Sequence, residues 1–421
     1  MNLLIALTFI LGYAAIAFEQ RLKINKSAVA LLTGVICWTI YIVATPDKNL
    51  VTDQLYHHFG QIGSILFFIL SAMTIVEIID AHDGFQVINQ KIKTRDKRKL
   101  LWIIAILSFF LSAVIDNLTT AIVMVSLLRK LIGDKHLRLL YVGIVIIAAN
   151  AGGAWSPVGD VTTTMLWIGG QISAVNIILE LFVPSLVCLA VPLLIVSFRL
   201  KGKLDPAIDV RTTEATNEQK LILILGLGVL LLVPVFKTFT HLPPFMGILC
   251  GLAILWIVTE MMHKRKEEEG SRTFSVSQAL EKVDVPTILF FLGILIAIAA
   301  LEATGQLKQV ATYFDNTVGN LNAIGVMIGL FSAVVDNVPL VAATMGMYDL
   351  HSFPQDHYFW ELISYCAGTG GSCLIIGSAA GVAAMGMEKI DFIWYLKKIS
   401  WLALIGYLAG VLVYLAEEFL I

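Results

Sequence analysis

Apolar runs of about 18 or more residues recur along this chain, each long enough to cross a bilayer as a helix. Ten are read at 3–18, 27–45, 61–80, 139–169, 174–198, 219–236, 244–262, 282–302, 357–386 and 391–418. Two more apolar stretches, 100–128 and 322–350, do not fit as simple spans. As one straight helix, 100–128 would reach roughly 40 Å at ~1.5 Å per residue, beyond a ~30 Å hydrocarbon core. It carries Asp116 and Asn117 at its midpoint, and 322–350 carries Asp336 and Asn337 near its centre. A helical hairpin that enters and leaves on one face, with the Asp-Asn pair at its tip, fits each stretch. Non-helical backbone at that depth is allowed where protein or a water-filled cavity surrounds it.

The two hairpins are copies of one another. Ser112–Asn117 and Ser332–Asn337 agree at five of six positions, 220 residues apart. A second match follows each hairpin. Asn150-Ala151-Gly152-Gly153 pairs with Gly368-Thr369-Gly370-Gly371, and Gly159 with Gly377, at an offset of 218. Each half therefore reads as three helices, a hairpin, a Gly-broken helix and a last helix. Five spans per half is an odd number, so the second half should be inverted relative to the first. The predicted fold is an all-α polytopic membrane protein of two inverted repeats, each with five spans and one re-entrant hairpin, and with broken helices at the midplane. Five regions follow: scaffold helices 1–99, a first transport half 100–200, a cytoplasmic linker 201–218, scaffold helices 219–320 and a second transport half 321–421.

Composition and charge agree with that class. The chain is 58% hydrophobic and 14% charged, with a mean hydropathy of +0.84, whereas soluble domains carry about a quarter charged residues. Of the 29 Lys and Arg, 26 fall in loops that alternate with the spans, and only Lys48, Lys237 and Lys308 lie elsewhere. This places Arg21–Lys26 and the other basic loops in the cytoplasm and both termini on the far side. It also has the first hairpin enter from the cytoplasm, because Lys91–Lys99 and Arg129–Arg138 flank it. The second hairpin, with no Lys or Arg beside it, should enter from outside. No basic stretch precedes the first apolar segment, so it reads as a spanning helix rather than a signal peptide. The five cysteines sit in apolar stretches as small hydrophobes. The eight histidines read as loop or span-end residues.

A charge at mid-membrane costs roughly 3 kcal/mol on insertion scales, so Asp116 and Asp336 need a reason to be there. Capping the following half-helix is one, yet Ser or Thr would cap without a charge. Coordination of a hard cation is the other, since Na+ takes oxygen ligands and a carboxylate also neutralises it. Asn117 and Asn337 add amide oxygens and Thr119 a hydroxyl. The break at Asn150–Asp160, with Gly152 permitting a bend, turns carbonyls toward the same cavity and adds Asp160 and Thr162. Ser332, Thr369 and Ser372 supply hydroxyls from the second half. Gly377 is followed by Ser378 rather than an acid, so the first half should dominate binding. The expected Na+ ligands are Asp116, Asn117, Asn150 and Asp160. Asp116, Asp160, Asp336 and Glu77 are the candidates for proton coupling. No ATP-binding loop, zinc motif, nucleic-acid-binding patch or Ser-His-Asp arrangement is present, so the chain reads as neither an enzyme nor a pump. No cofactor is called for beyond the transported ion.

Residues 112–120 (SAVIDNLTT), 150–163 (NAGGAWSPVGDVTT) and 332–340 (SAVVDNVPL) resemble the NhaD-type sodium/proton antiporters of the ion transporter superfamily. The resemblance covers nearly the whole chain. It implies exchange of internal Na+ or Li+ for external H+, favoured at alkaline pH, in the inner cell membrane. It also implies a homodimer in which a scaffold holds a moving transport domain, an elevator-type arrangement. A sodium-coupled di- or tricarboxylate carrier of the same superfamily is the alternative. Such relatives carry Ser-Asn-Thr at the hairpin tips, where Asp would repel a carboxylate.

Overall fold

The computed structural model describes residues 1–90, 92, 94–204, 215–268 and 276–420. Most of the linker expected at 201–218, including Arg211, lies outside the described residues, as do Lys91, Lys93 and Arg272. The first half opens with Asn2–Ala17 (α1), Lys26–Ala44 (α2) and Lys48–Ala81 (α3). The first hairpin is Lys97–Ile115 (α4) and Asn117–Leu131 (α5), the broken helix is Lys135–Ala154 (α6) and Val161–Gly169 (α7), and Ala174–Arg199 (α8) ends the half. The second half repeats the order with Asn217–Thr240 (α9), Pro244–Glu268 (α10) and Val285–Ala303 (α11), and then adds Gln306–Thr317 (α12). Its hairpin is Leu321–Phe331 (α13) and Asn337–Met347 (α14), and its broken helix Tyr358–Gly370 (α15) and Ala379–Glu388 (α16). The last helix, α17, is continuous from Phe392–Tyr395 through a π-helical turn, Leu396–Ser400, to Trp401–Leu420. Among the described residues, nine helices are long and apolar enough to cross a membrane. The chain is thus an all-α, multi-pass membrane protein.

Both 100–128 and 322–350 fold back on themselves. Tyr141, near the start of α6, donates to the carbonyl of Lys97 at the start of α4. Glu388 accepts from Arg129, near the end of α5, at 2.6 Å and from Arg138, early in α6, at 3.0 Å. The outer ends of α4 and α5 therefore both lie beside the start of α6, with Asp116 at the turn between them. In the second half, a Cβ on Gly325, early in α13, would lie 2.7 Å from Leu362 Cδ2, and Tyr348, after α14, packs on Phe359 with ring centroids 4.9 Å apart, so both outer ends lie beside the start of α15.

Four features differ from the sequence reading. The span expected at 61–80 is the C-terminal part of a 34-residue helix, about 50 Å long at ~1.5 Å per residue. Asp47 starts it by accepting from Leu50 N–H at 3.1 Å. Its polar first turns give no hydropathy signal, and His57 and His58 are thus helical rather than in a loop. The break read at Asn150–Asp160 begins later, because α6 stays helical through Gly152 and Gly153 to Ala154. The helix α12 lies where no element was read. Its polar face hides it from an apolar scan. The span expected at 357–386 is two short helices, neither of membrane length.

Gly152 and Gly370 serve close approach rather than bending. A Cβ on Gly152 would lie 2.1 Å from the Phe109 carbonyl oxygen, and one on Gly370 would lie 2.0 Å from that of Gly329. These glycines seat each hairpin's first leg on its broken helix, as small residues do where membrane helices meet. Matched serines fasten the same contact. Ser112 Oγ donates to Ala149 O at 2.6 Å and Ser332 Oγ to Ala367 O at 2.7 Å. The three lysines outside the basic loops are all engaged. Lys48 donates to the Ile42, Val43 and Thr45 carbonyls at the end of α2. Lys237 donates to Trp167 O near the end of α7 at 3.3 Å, and Lys308 pairs with Asp349 at 3.4 Å. Two of the three thus complement helix C-termini.

Gly152→Ala and Gly370→Ala should each destabilise the detergent-solubilised protein by roughly 1–3 kcal/mol or more, because a backbone oxygen cannot step aside. Gly228→Ala, with nothing within 4 Å of the added carbon, should not. Thermal unfolding followed by size-exclusion chromatography measures the difference, and equal melting in all three variants would contradict it.

Candidate ion-binding site

Each interruption sets the C-terminus of one half-helix against the N-terminus of the next, so their dipoles largely offset. The carboxylates then give the cavity its sign. Four N-termini meet there, and each is capped by the residue just before it. Asp116 accepts from Thr119 N–H at 2.8 Å, Asp160 from Thr162 N–H at 2.8 Å, Asp336 from Val338 N–H at 3.2 Å and Ser378 from Gly381 N–H at 3.2 Å. Both hairpin-tip acids therefore do cap. Capping leaves their remaining lone pairs free for a ligand.

Asp160 is the hub. Its residue is 2% exposed. Oδ1 accepts from the Thr162 amide and, at 2.7 Å, from the Thr162 hydroxyl, while Oδ2 accepts from Asn117 Nδ2 at 2.7 Å. Asn337, from the other hairpin tip, lies near the same carboxylate. Asn117 Nδ2 also donates to Asn150 Oδ1 at 3.1 Å. Asn150 Nδ2 in turn donates to Ser372 Oγ and Ser378 Oγ, both at 2.9 Å. One continuous polar chain thus joins the first hairpin, the first broken helix and the break of the second. Buried polar groups of this kind must all be partnered, and these are.

Asp116 differs from Asp160. It is half-buried, and its second oxygen accepts from the Thr119 hydroxyl at 2.9 Å. Its backbone lies at φ 76°, ψ 159°, a region close to glycine-only that costs of order 1–3 kcal/mol. A single residue makes the whole turn between α4 and α5, which forces that geometry. Asp336 closes a longer turn and sits at φ −49°, ψ 134°, without strain. The charges of Asp160 and Asp116 act on one another, as do those of Asp336 and Asp160.

The structure thus brings together Asp116, Asn117, Thr119, Asn150, Asp160, Thr162, Asp336, Asn337 and Ser372. Others on the sequence-derived set do different work. Gly152 is a packing residue. Ser332 spends its hydrogen on Ala367 O, and Thr369 donates to Tyr365 O at 2.6 Å. Glu77 lies apart, beside Asp80 and Lys282. Ser378 was passed over because it is not acidic, although the 218-residue offset places it on Asp160. The donor set is all oxygen and amide, which suits a hard monovalent cation. Among the described residues, no group of His, Cys, Asp and Glu is arranged to hold a resident metal.

Residues 13–360 match the citrate transporter family, CitMHS. The chain is 52% identical over 414 residues to sodium/proton antiporter 1 of Arabidopsis thaliana, covering 98% of this chain and 72% of that relative. Sodium/proton antiporter 2 of the same plant is 49% identical over 416 residues, covering 98% of each. The Na(+)/H(+) antiporter NhaD of Vibrio cholerae is 32% identical over 439 residues, covering 97% of this chain and 90% of the relative. The protein is therefore a transporter rather than an enzyme, and the chain belongs to the NhaD-type sodium/proton antiporter family of the ion transporter superfamily.

Proposed function

We propose that this protein exchanges cytoplasmic Na+ or Li+ for external H+ across the inner cell membrane, as a homodimer working by an elevator-type movement. The observation that carries the reading is the buried Asp160 carboxylate, bonded by the Asn117 amide from the first hairpin tip, with the half-buried Asp116 beside it. Names of relatives as sodium/proton antiporters support the choice of ions. The family's citrate label favours the carboxylate-carrier alternative only weakly, because three acids in the cavity would repel such a substrate. Support for the moving part comes from packing. One apolar cluster unites α1, α2, α11 and part of α3 and meets α7 and α14 through Met165, Val338 and Ala342, whereas the end of α3 with α9 and α10 packs among the hairpins and broken helices. The halves are inverted, with the two hairpins entering from opposite faces. Glu77, beside Asp80 and Lys282, is the competing candidate for the proton route.

Antiport follows from competition for the same oxygens. A bound Na+ keeps the carboxylates ionised and so displaces protons. A proton cancels the charge that holds Na+. Raising the pH removes the competitor, so the apparent Na+ constant should fall and then level off once the acids are ionised.

Four measurements test this reading. In everted vesicles, Na+ or Li+ but not K+ should collapse an imposed pH gradient, and labelled citrate should not accumulate. The apparent Na+ constant between about pH 6.5 and 9.5 should fall steeply with pH in the parent and in Glu77→Gln, and flatten in Asp160→Asn. The reverse pattern would move the proton site to Glu77. Asp116→Asn should abolish exchange, whereas Asp336→Asn should retain a measurable remnant. Equal residual activity in those two variants would remove the asymmetry between the halves. For topology, single cysteines replacing Arg95 and Lys135 should react with an impermeant reagent from the cytoplasmic side, and those replacing Asn316 and His351 from the other, in a background lacking exposed Cys250. Opposite labelling of positions 95 and 135 would end the re-entrant assignment.

A further inference from the structure

The inner face of α17 carries three buried tyrosines, and each hydroxyl ends on a backbone carbonyl of the second half. Tyr395 donates to Ser372 O at 2.9 Å and Tyr407 to Val326 O at 2.9 Å, and the Tyr414 hydroxyl is shared between Tyr358 O and Glu361 Oε2, each at 2.8 Å. Only Tyr395 ends on the break between α15 and α16. It also directly precedes the π-helical turn Leu396–Ser400. That placement has a geometric cause. At 3.6 residues per turn, the twelve residues from Tyr395 to Tyr407 would leave the two side chains about 120° apart, and the extra residue taken up by a π turn brings them within about 20°. Tyr395, Ile399 and Ser400 accordingly point inward, whereas Leu396, Lys397 and Lys398 are exposed. Ile399 fills the notch at Gly143, where an added Cβ would lie 2.4 Å from its Cδ1. The irregular turn is thus seated on α6, the helix that carries Asn150.

Ser372 is held at two points. Its carbonyl accepts from Tyr395, and its hydroxyl accepts from Asn150 Nδ2 at 2.9 Å. Asn150 then presents Oδ1 to Asn117, which donates to Asp160. We propose that Tyr395 is a positioning residue for the ion site: by fixing Ser372, it sets the orientation of Asn150 and, through Asn117, the donors on Asp160. The π turn exists to aim it. The first half has no counterpart, because Ile177 stands at the equivalent position 218 residues earlier. This inference rests on the Asp160 cluster being the ion site.

The test uses the full chain in proteoliposomes, with Na+ varied at fixed pH. Tyr395→Phe should raise the apparent Na+ constant roughly three- to tenfold, the range expected for one lost buried hydrogen bond. Its maximal rate should stay within about twofold of the parent. Tyr407→Phe loses a hydrogen bond of the same kind away from the break and should leave the Na+ constant unchanged. Ser372→Ala should raise the constant, and Tyr395→Phe should add nothing further in that background. If Tyr395→Phe is not recovered folded, Tyr395→Met, which fills the space with an apolar side chain and lacks the hydroxyl, carries the same expectation. An unchanged Na+ constant in an active Tyr395 variant would overturn the proposal. So would equal shifts in Tyr395→Phe and Tyr407→Phe, or additive effects in the double variant. A parent that moves no Na+ against protons would instead refute the assigned function.

Discussion

A carboxylate buried among apolar helices can remain only where donors replace the water it has lost. Removing one charge from water costs several kcal/mol even after relaxation, and Asp160 has no basic side chain to share that cost. Its environment is therefore built from amides and hydroxyls. The chain must break before residue 161 so that the Thr162 N–H is free to turn toward it. The hairpin must penetrate far enough to deliver Asn117. Asn150 must sit on an unbroken helix so that its amide spans the gap to the second half. The interrupted helices, the hairpins and the close glycine contacts all serve this one requirement.

The repeat conserves a frame and varies the chemistry within it. Ser112 and Ser332 bond equivalent carbonyls, and Gly152 and Gly370 meet equivalent backbone oxygens. By contrast, the positions that face the cavity have diverged. Asn150, Asp160 and Thr162 of the first half correspond to Gly368, Ser378 and Ala380 of the second. The second half supplies partners for Asn150 instead of a second acid of its own. The outcome is one composite site, which is what the unequal turns also express: strained at Asp116, relaxed at Asp336.

What could be read in the sequence was whatever carries charge or period. The Asp-Asn tips, the two offsets and the acids in apolar surroundings stand out because polar residues at that depth are costly. The position of the break did not stand out. Glycine serves both bending and close packing, and only the approach of Phe109 O separates the two at Gly152. The early turns of α3 and all of α12 escaped because hydropathy registers what contacts lipid, not what is helical. Ser378 carries no charge, and Tyr395 reaches Ser372 from 23 residues away through a π turn that no local pattern announces.

The distribution of basic residues gives the acids their functional sense. Among the described residues, ion pairs occur at helix ends, at Arg129, Arg138 and Glu388 and at Lys308 and Asp349, and none involves Asp116, Asp160 or Asp336. Among the described residues, no lysine or arginine therefore pairs with the central acids. An arginine there would neutralise the acids permanently and abolish any demand for a mobile cation. Without one, carrying the empty site through a low-dielectric barrier means carrying uncompensated negative charge, and that cost rises steeply as the effective dielectric falls. Occupation by Na+ or by protons reduces the charge. In the proposed elevator, loaded forms would then cross more readily than the empty one, and that difference would tie the passage of one ion to the return of the other.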